Sequence, residues 1–297
     1  MSKEIISVKN FSKAFGSKKV IENLSFSVNE GEIFAFLGSN GSGKTTTIRT
    51  LLNVYSADSG TLTINGEQYS PKMASFLGYL PEERGLYLTS RVLETLVYFG
   101  QLKGLTKEEA EENAINYLKK VDLEDKQKLE IKKLSSGQQQ KIQLGITVIN
   151  NPKLLILDEP TKGLDPVNRE LLLSILLELN KSGSTIIFST HQMEEVEKIA
   201  DRLLMIKNGK SALYGSLSEV KAKFADNSIY INFEGKLESE TDLYSAEIHK
   251  NTAVIKPKNS SKASIISYIA DKVNILKLEE NSPSLNDIFI KVMNQNE

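Results

Sequence analysis

Residues 38–46 read Gly38-Ser39-Asn40-Gly41-Ser42-Gly43-Lys44-Thr45-Thr46, the spacing G-x-x-x-x-G-K-[ST] of a phosphate-binding loop. Its glycines let backbone amides converge on an anion where side chains would obstruct. A helix starting near Lys44 adds unpaired N–H groups and the positive end of its dipole. Lys44 would reach the β- and γ-phosphates of a nucleoside triphosphate, and the Thr45 hydroxyl would hold Mg2+. Further along, the apolar run Leu154-Leu155-Ile156-Leu157 delivers Asp158-Glu159. Adjacent carboxylates at the end of a buried strand are costly unless cations or donors meet them. Asp158 suits Mg2+ held through water, and Glu159 suits orienting or deprotonating the water that attacks a γ-phosphate. His191 follows a second apolar run, 185–190, and leaves the same end of a parallel sheet. There it can donate to a phosphate oxygen, although a lone histidine is also commonly structural.

These groups need strands and helices to aim them. Ile33-Phe34-Ala35-Phe36-Leu37 directly precedes the glycine loop, and Ile48, Leu51 and Leu52 fall at helical spacing after it. Strand, turn and helix thus come in the required order. Residues 5–8, 19–21 and 24–28 read as strands, with turns at Gly16-Ser17 and 29–31. Phe15, just before the first turn, can stack on a nucleotide base or pack beneath the hairpin; its position leaves both open. Residues 60–66 form a strand ending in an Asn-Gly turn, and 76–80 a strand stopped by Pro81 before the polar loop Glu82-Glu83-Arg84-Gly85.

From about 86 to 150 the pattern is helical, near 90–102, 106–121 and 136–150, which predicts a helical subdomain projecting from the sheet. Thr106-Lys107-Glu108-Glu109 has the capping-box form. Ser135, Ser136, Gly137 and Gln138 open the last of these helices; Ser135 can cap it, and the two hydroxyls with Gly137 at a helix N-terminus also suit an anion. Asp165 and Pro166 read as N-cap and first residue of a leucine-rich helix. After about Gly215 the composition shifts toward Lys, Ser, Asn and Glu. Strands at 229–233, 252–255 and 273–278, a helix at 263–270 and a last helix from near Pro283 predict a small separate ββαβα domain. The expected division is 1–215 and 216–297.

Thirty-eight acidic against thirty-seven basic residues leave no electrostatic footprint for nucleic acid. With no cysteine among 297 residues, disulfides and cysteine-bound metals are excluded. The charged N-terminus runs straight into a strand, and the most apolar stretch, 171–179, is half the length of a membrane span. The expected location is therefore cytoplasmic.

In this order and spacing the motifs resemble those of the ATP-binding subunit of an ABC transporter, over roughly the first 215 residues. The resemblance covers 38–46 as Walker A, Leu134 to Gln138 as the signature motif, Leu154 to Glu159 as Walker B with its catalytic acid, Gly163-Leu164-Asp165 as the D-loop and His191 as the switch histidine. It implies an α/β fold: a P-loop NTPase core with an antiparallel β subdomain, the inserted helical subdomain and the C-terminal α+β domain. It assigns Phe15 to the adenine, ATP and Mg2+ as ligands, and Lys44, Glu159 and His191 to the chemistry. It further implies a head-to-tail pair of subunits in which Ser135, Ser136 and Gly137 of one copy cover the γ-phosphate held by the other. The segment 80–87 and the C-terminal tail are similar to the stand-alone ATPases of bacterial ABC-2-type exporters, in the sodium-exporter group. This implies a separate ABC-2-type permease and attachment to the cytoplasmic membrane face through it.

Two positions depart from the family pattern. Glu82 stands where the family usually has glutamine; it can ligand Mg2+ but cannot donate a hydrogen bond when ionised. Ser136 stands in place of a signature glycine and brings a Cβ to a close backbone approach. The alternative functions are a soluble ABC ATPase, or a slow-hydrolysing nucleotide sensor not coupled to transport.

Overall fold

A computed structural model describes residues 3–83, 85–225, 228–280 and 283–294. Arg84 of the polar loop, and Met1 and Ser2 of the charged N-terminus, lie outside the described residues. The chain divides into two compact units, Met1–Leu217 and Ser218–Glu297.

The first unit opens with β1 (Glu4–Phe15), β2 (Lys18–Asn29), β3 (Ile33–Leu37), α1 (Lys44–Leu51), β4 (Ser59–Ile64) and β5 (Leu77–Leu80). The helices α2 (Val92–Leu102), α3 (Lys107–Lys120) and α4 (Ser136–Val148) follow. It continues with β6 (Leu154–Asp158), α5 (Pro166–Lys181), β7 (Thr185–Thr190) and α6 (Met193–Ile199), then the hairpin β8 (Arg202–Lys207) and β9 (Lys210–Ser216). Two sheets result. One is antiparallel, in the order β2-β1-β4. The other runs β5-β6-β7-β3-β8-β9, parallel except for β9. Every residue of β3, β6 and β7 is buried, as befits parallel strands covered on both faces.

The register of the parallel sheet decides where the chemistry goes. β7 lies between β6 and β3, pairing Asp158 with Ser189 and Leu37 with Thr190. Gly38, Glu159 and His191 therefore leave three neighbouring strands at the same end. β2 corrects the sequence reading of two strands at 19–21 and 24–28. It is one strand, in which Asn23 at φ 51° absorbs the interruption and donates its N–H to Ser12 Oγ at 3.0 Å.

The helices begin where side chains can cap them. Thr106 Oγ1 accepts from Glu109 N–H at 3.2 Å while Glu109 Oε2 accepts from Thr106 N–H at 2.8 Å, closing a capping box at the start of α3. Ser135 and Gln138 do the same for α4, and Asp165 caps α5. At the far end of α4, the Lys103 ammonium donates to the carbonyls of Ile146 and Thr147 at 2.8 and 2.7 Å. Burial pulls its pKa down to about 8. Among the described residues no helix is long and apolar enough to cross a membrane.

The second unit carries β10 (Ile229–Glu234), β11 (Tyr244–His249), β12 (Thr252–Pro257) and β13 (Asn274–Glu280), ordered β11-β12-β10-β13 and antiparallel throughout. The helix α7 (Leu217–Phe224) begins at the division between the units, and α8 (Lys262–Ala270) and α9 (Leu285–Asn294) complete the set. The ββαβα expectation lacked α7 and β11. β11 is a half-buried strand with Glu247 and His249 on its exposed face, and its pairing with β12 is what makes it one. Its Tyr244 is fully buried beside Ile229, Ile255 and Ile265. His249 is exposed, at the end of that strand.

Candidate nucleotide site

The glycine loop joins β3 to α1 and is held in a conformation that side chains would break. At Gly38, φ is 156°, and a Cβ would lie 2.5 Å from Ser42 Oγ and 2.6 Å from the Ile206 carbonyl. At Gly43, which caps α1 at φ 111°, it would lie 2.3 Å from Ile21 Cδ1. Lys44 is folded back over the loop: its Nζ donates to the carbonyls of Gly38 at 2.8 Å and Ser39 at 3.3 Å. It lies 3.8 Å from Glu159 Oε1. Burial lowers its pKa, an effect opposed by Glu159, Asp158 and Glu82.

The acid pair meets donors rather than solvent. Ser189 Oγ donates to Asp158 Oδ1 at 2.5 Å and accepts from Glu159 N–H at 2.9 Å, so one hydroxyl orients both residues. Burial raises the Asp158 pKa, opposed by the hydroxyls of Ser189 and Thr45. Glu159 adopts φ 51°, a left-handed conformation that L-residues with side chains rarely keep without support from their surroundings. Its carboxylate is 3.0 Å from His191 Nδ1, and the His191 side chain is half exposed.

A cavity of about 540 Å³ lies over the loop, lined in part by Asn40, Gly41, Gly43, Lys44, Thr45, Thr46, Glu82 and Glu159. Phe15 lines it too, together with Lys18 and Val20. The Phe15 ring is 45% exposed, so it is not packed beneath the hairpin. The sequence reading missed Tyr55, whose ring meets Phe15 edge-on at 5.2 Å and fixes its orientation. Ser135, Ser136, Gly137 and Gln138 line none of this cavity; they stand at the start of α4, with Ser136 exposed.

Two more groups were missed because they act across the fold. Lys162 Nζ binds Glu82 Oε1 at 2.6 Å. Gln143, buried on α4, donates to the carbonyls of Pro81 and Glu83 at 3.3 and 3.2 Å and so grips the backbone on both sides of Glu82. Gln140, one turn earlier, donates to the Pro160 carbonyl at 3.0 Å. Replacing Gln143 with Leu leaves two carbonyls without their donor, and is expected to lower unfolding free energy by about 1–3 kcal/mol in urea denaturation.

The oxygen donors present fit a hard cation. Asp158 Oδ2 is buried and, among the described residues, makes no hydrogen bond of regular geometry, though the Thr45 hydroxyl stands beside the carboxylate. One carboxylate and one hydroxyl beside a phosphate-binding loop make a set suited to Mg2+.

Comparison with known proteins is consistent with this geometry. The family described as ABC transporter matches residues 21–162, and the DrrA1-3-like ATP-binding protein C-terminal domain matches residues 215–293. An ABC transporter ATP-binding protein of Bacillus subtilis is 36% identical over 297 residues, covering 97% of this chain and 98% of the relative. The Nod factor export ATP-binding protein I of Sinorhizobium fredii is 33% identical, covering 97% and 85%. A solved ATP-binding subunit of an ABC transporter superposes with a TM-score of 0.69 at 29% identity, covering 74% of this chain and 93% of that one. The chain belongs to the ATP-binding proteins of ABC transporters, a family of ATP-hydrolysing enzymes with export-type members.

Proposed function

We propose that the chain powers a membrane exporter, as a head-to-tail pair of copies that closes around ATP and engages a separate ABC-2-type permease at the cytoplasmic membrane face. The observation that carries this reading is the division of the site. The cavity holds the glycine loop, Glu82 and Glu159, whereas residues 135–138 stand outside it at the start of α4. A polar helix start containing glycine suits an anion, and here it serves the γ-phosphate held by the other copy.

Within each copy, the amides of 38–46 and Lys44 hold the triphosphate, and Phe15 stacks on the adenine. Glu159 orients the attacking water and takes its proton, while His191 and Lys44 stabilise charge on the transferred phosphoryl. Asp158 and Thr45, joined by Glu82 on release from Lys162, would hold Mg2+, which neutralises charge developing on the phosphate oxygens. Contact with a permease is supported by the exposed Tyr87, Leu88, Tyr98 and Leu102 around the α2 face, since clustered exposed apolar groups mark interaction sites. Export is supported by the relative named for Nod factor export.

Mixing two crippled chains tests the split site. Glu159→Gln abolishes the acid of its own cavity, and Ser136→Arg blocks the half-site that a copy lends to its partner. Each alone is expected to be nearly inactive. Mixed, they form one complete site from the cavity of the Ser136→Arg chain and the α4 start of the Glu159→Gln chain. Phosphate release well above the sum of the separate chains is expected; no recovery would overturn the head-to-tail arrangement.

A further inference from the structure

Glu195, in the first turn of α6, is 2% exposed and has no part in the chemistry above. Burying a carboxylate is costly unless it is paired or hydrogen-bonded, so its partners matter. Thr190 Oγ1 donates to Glu195 Oε2 at 2.9 Å and accepts from the N–H of Gln192 at 3.1 Å. One hydroxyl thus ties down both sides of His191: the last residue of β7 before it, and the backbone just after it. The hydroxyl is in turn held by the carboxylate. The buried Thr161 hydroxyl also faces the carboxylate, and Arg169 Nε of α5, one turn after the Asp165 cap, stands 3.6 Å from Oε1, an ion pair without a hydrogen bond. By contrast the His191 ring itself is half exposed, and its Nδ1 meets the Glu159 carboxylate.

We infer that Glu195 is a positioning residue for His191: through Thr190 it fixes the turn from which the imidazole reaches the γ-phosphate, with Arg169 anchoring it to α5. The inference rests on the reading of His191 as a group that meets the phosphoryl. A free turn would let the imidazole move by an ångström or more while Glu159, held separately by Ser189, stayed in place.

Thr190→Val removes the hydroxyl at nearly constant shape, Glu195→Leu removes the carboxylate, and Glu195→Gln keeps an acceptor for Thr190. Turnover of MgATP is expected to fall roughly ten- to a hundred-fold in Thr190→Val and Glu195→Leu, the scale of a small misplacement of a catalytic group. KM for ATP and binding of a fluorescent ATP analogue are expected to stay within about two-fold, since ground-state binding is untouched. Glu195→Gln is expected to recover most of the rate. In a His191→Ala background the same substitutions are expected to cause no further loss. Wild-type turnover in Thr190→Val, loss confined to Glu195→Leu, or losses that multiply with His191→Ala would each overturn the inference and leave the role of His191 standing. If His191→Ala alone leaves turnover unchanged, the reading of His191 itself fails.

Discussion

Glu159→Gln is expected to lower ATP turnover by roughly 10²–10⁴-fold, the contribution of a well-placed general base, while ATP still binds. The reasoning starts from the end of β6, where Glu159 is 5% exposed and held at φ 51° by Ser189. Its carboxylate lies between Lys44 Nζ at 3.8 Å and His191 Nδ1 at 3.0 Å. Glutamine keeps the volume and an acceptor toward His191, so the turn and the cavity survive. It removes the charge that would take a proton from water. With hydrolysis blocked and binding intact, ATP is expected to hold two copies together. Single-turnover phosphate release and sedimentation with and without MgATP check both halves of this expectation. Wild-type turnover would remove Glu159 from the chemistry, and a monomer under saturating MgATP would remove the closed pair.

Lys44→Met is expected to abolish turnover and to weaken ATP binding by roughly ten- to a hundred-fold, the scale of losing one or two charge-assisted hydrogen bonds. The fold is expected to tolerate the change. Lys44 is 6% exposed, and burial lowers its pKa despite three nearby acids, so desolvation outweighs their attraction. A folded-state pKa below that of a free lysine means that folding disfavours the ammonium form. An apolar side chain of similar length removes that penalty. Against this, Asp158 and Glu159 lose a cation, and the Asp158 pKa would climb further. The two effects oppose each other, so the melting temperature is expected to shift little while titration calorimetry reports the lost affinity. Retained affinity would mean that the loop amides alone carry the triphosphate.

The parts of this molecule legible in its sequence are those determined by neighbours along the chain. The run 33–37 and the glycines after it could be read because a buried parallel strand and a left-handed turn leave local signatures, as did the capping box at Thr106 and the cap at Ser135. β6 and β7 could be read for the same reason, and their shared register with β3 then draws Lys44, Asp158, Glu159 and His191 together. β11 escaped although Tyr244, Ala246 and Ile248 alternate with Ser245, Glu247 and His249, because so short a run with charge on its outer face looks like a loop until β12 lies beside it. Lys162, Gln143 and Tyr55 escaped because each acts on a segment distant in sequence or on backbone atoms, and Glu195 because nothing in the pair Glu194-Glu195 says which carboxylate is buried. No periodicity or motif spacing encodes such contacts.

The way Gln143 grips the loop around Glu82 bears on how this molecule can evolve. Both bonds run to carbonyl oxygens of the main chain, at Pro81 and Glu83, and neither depends on the side chains of Glu82 or Glu83. The side chains of that loop can therefore change by mutation while α4 keeps the same hold on its backbone.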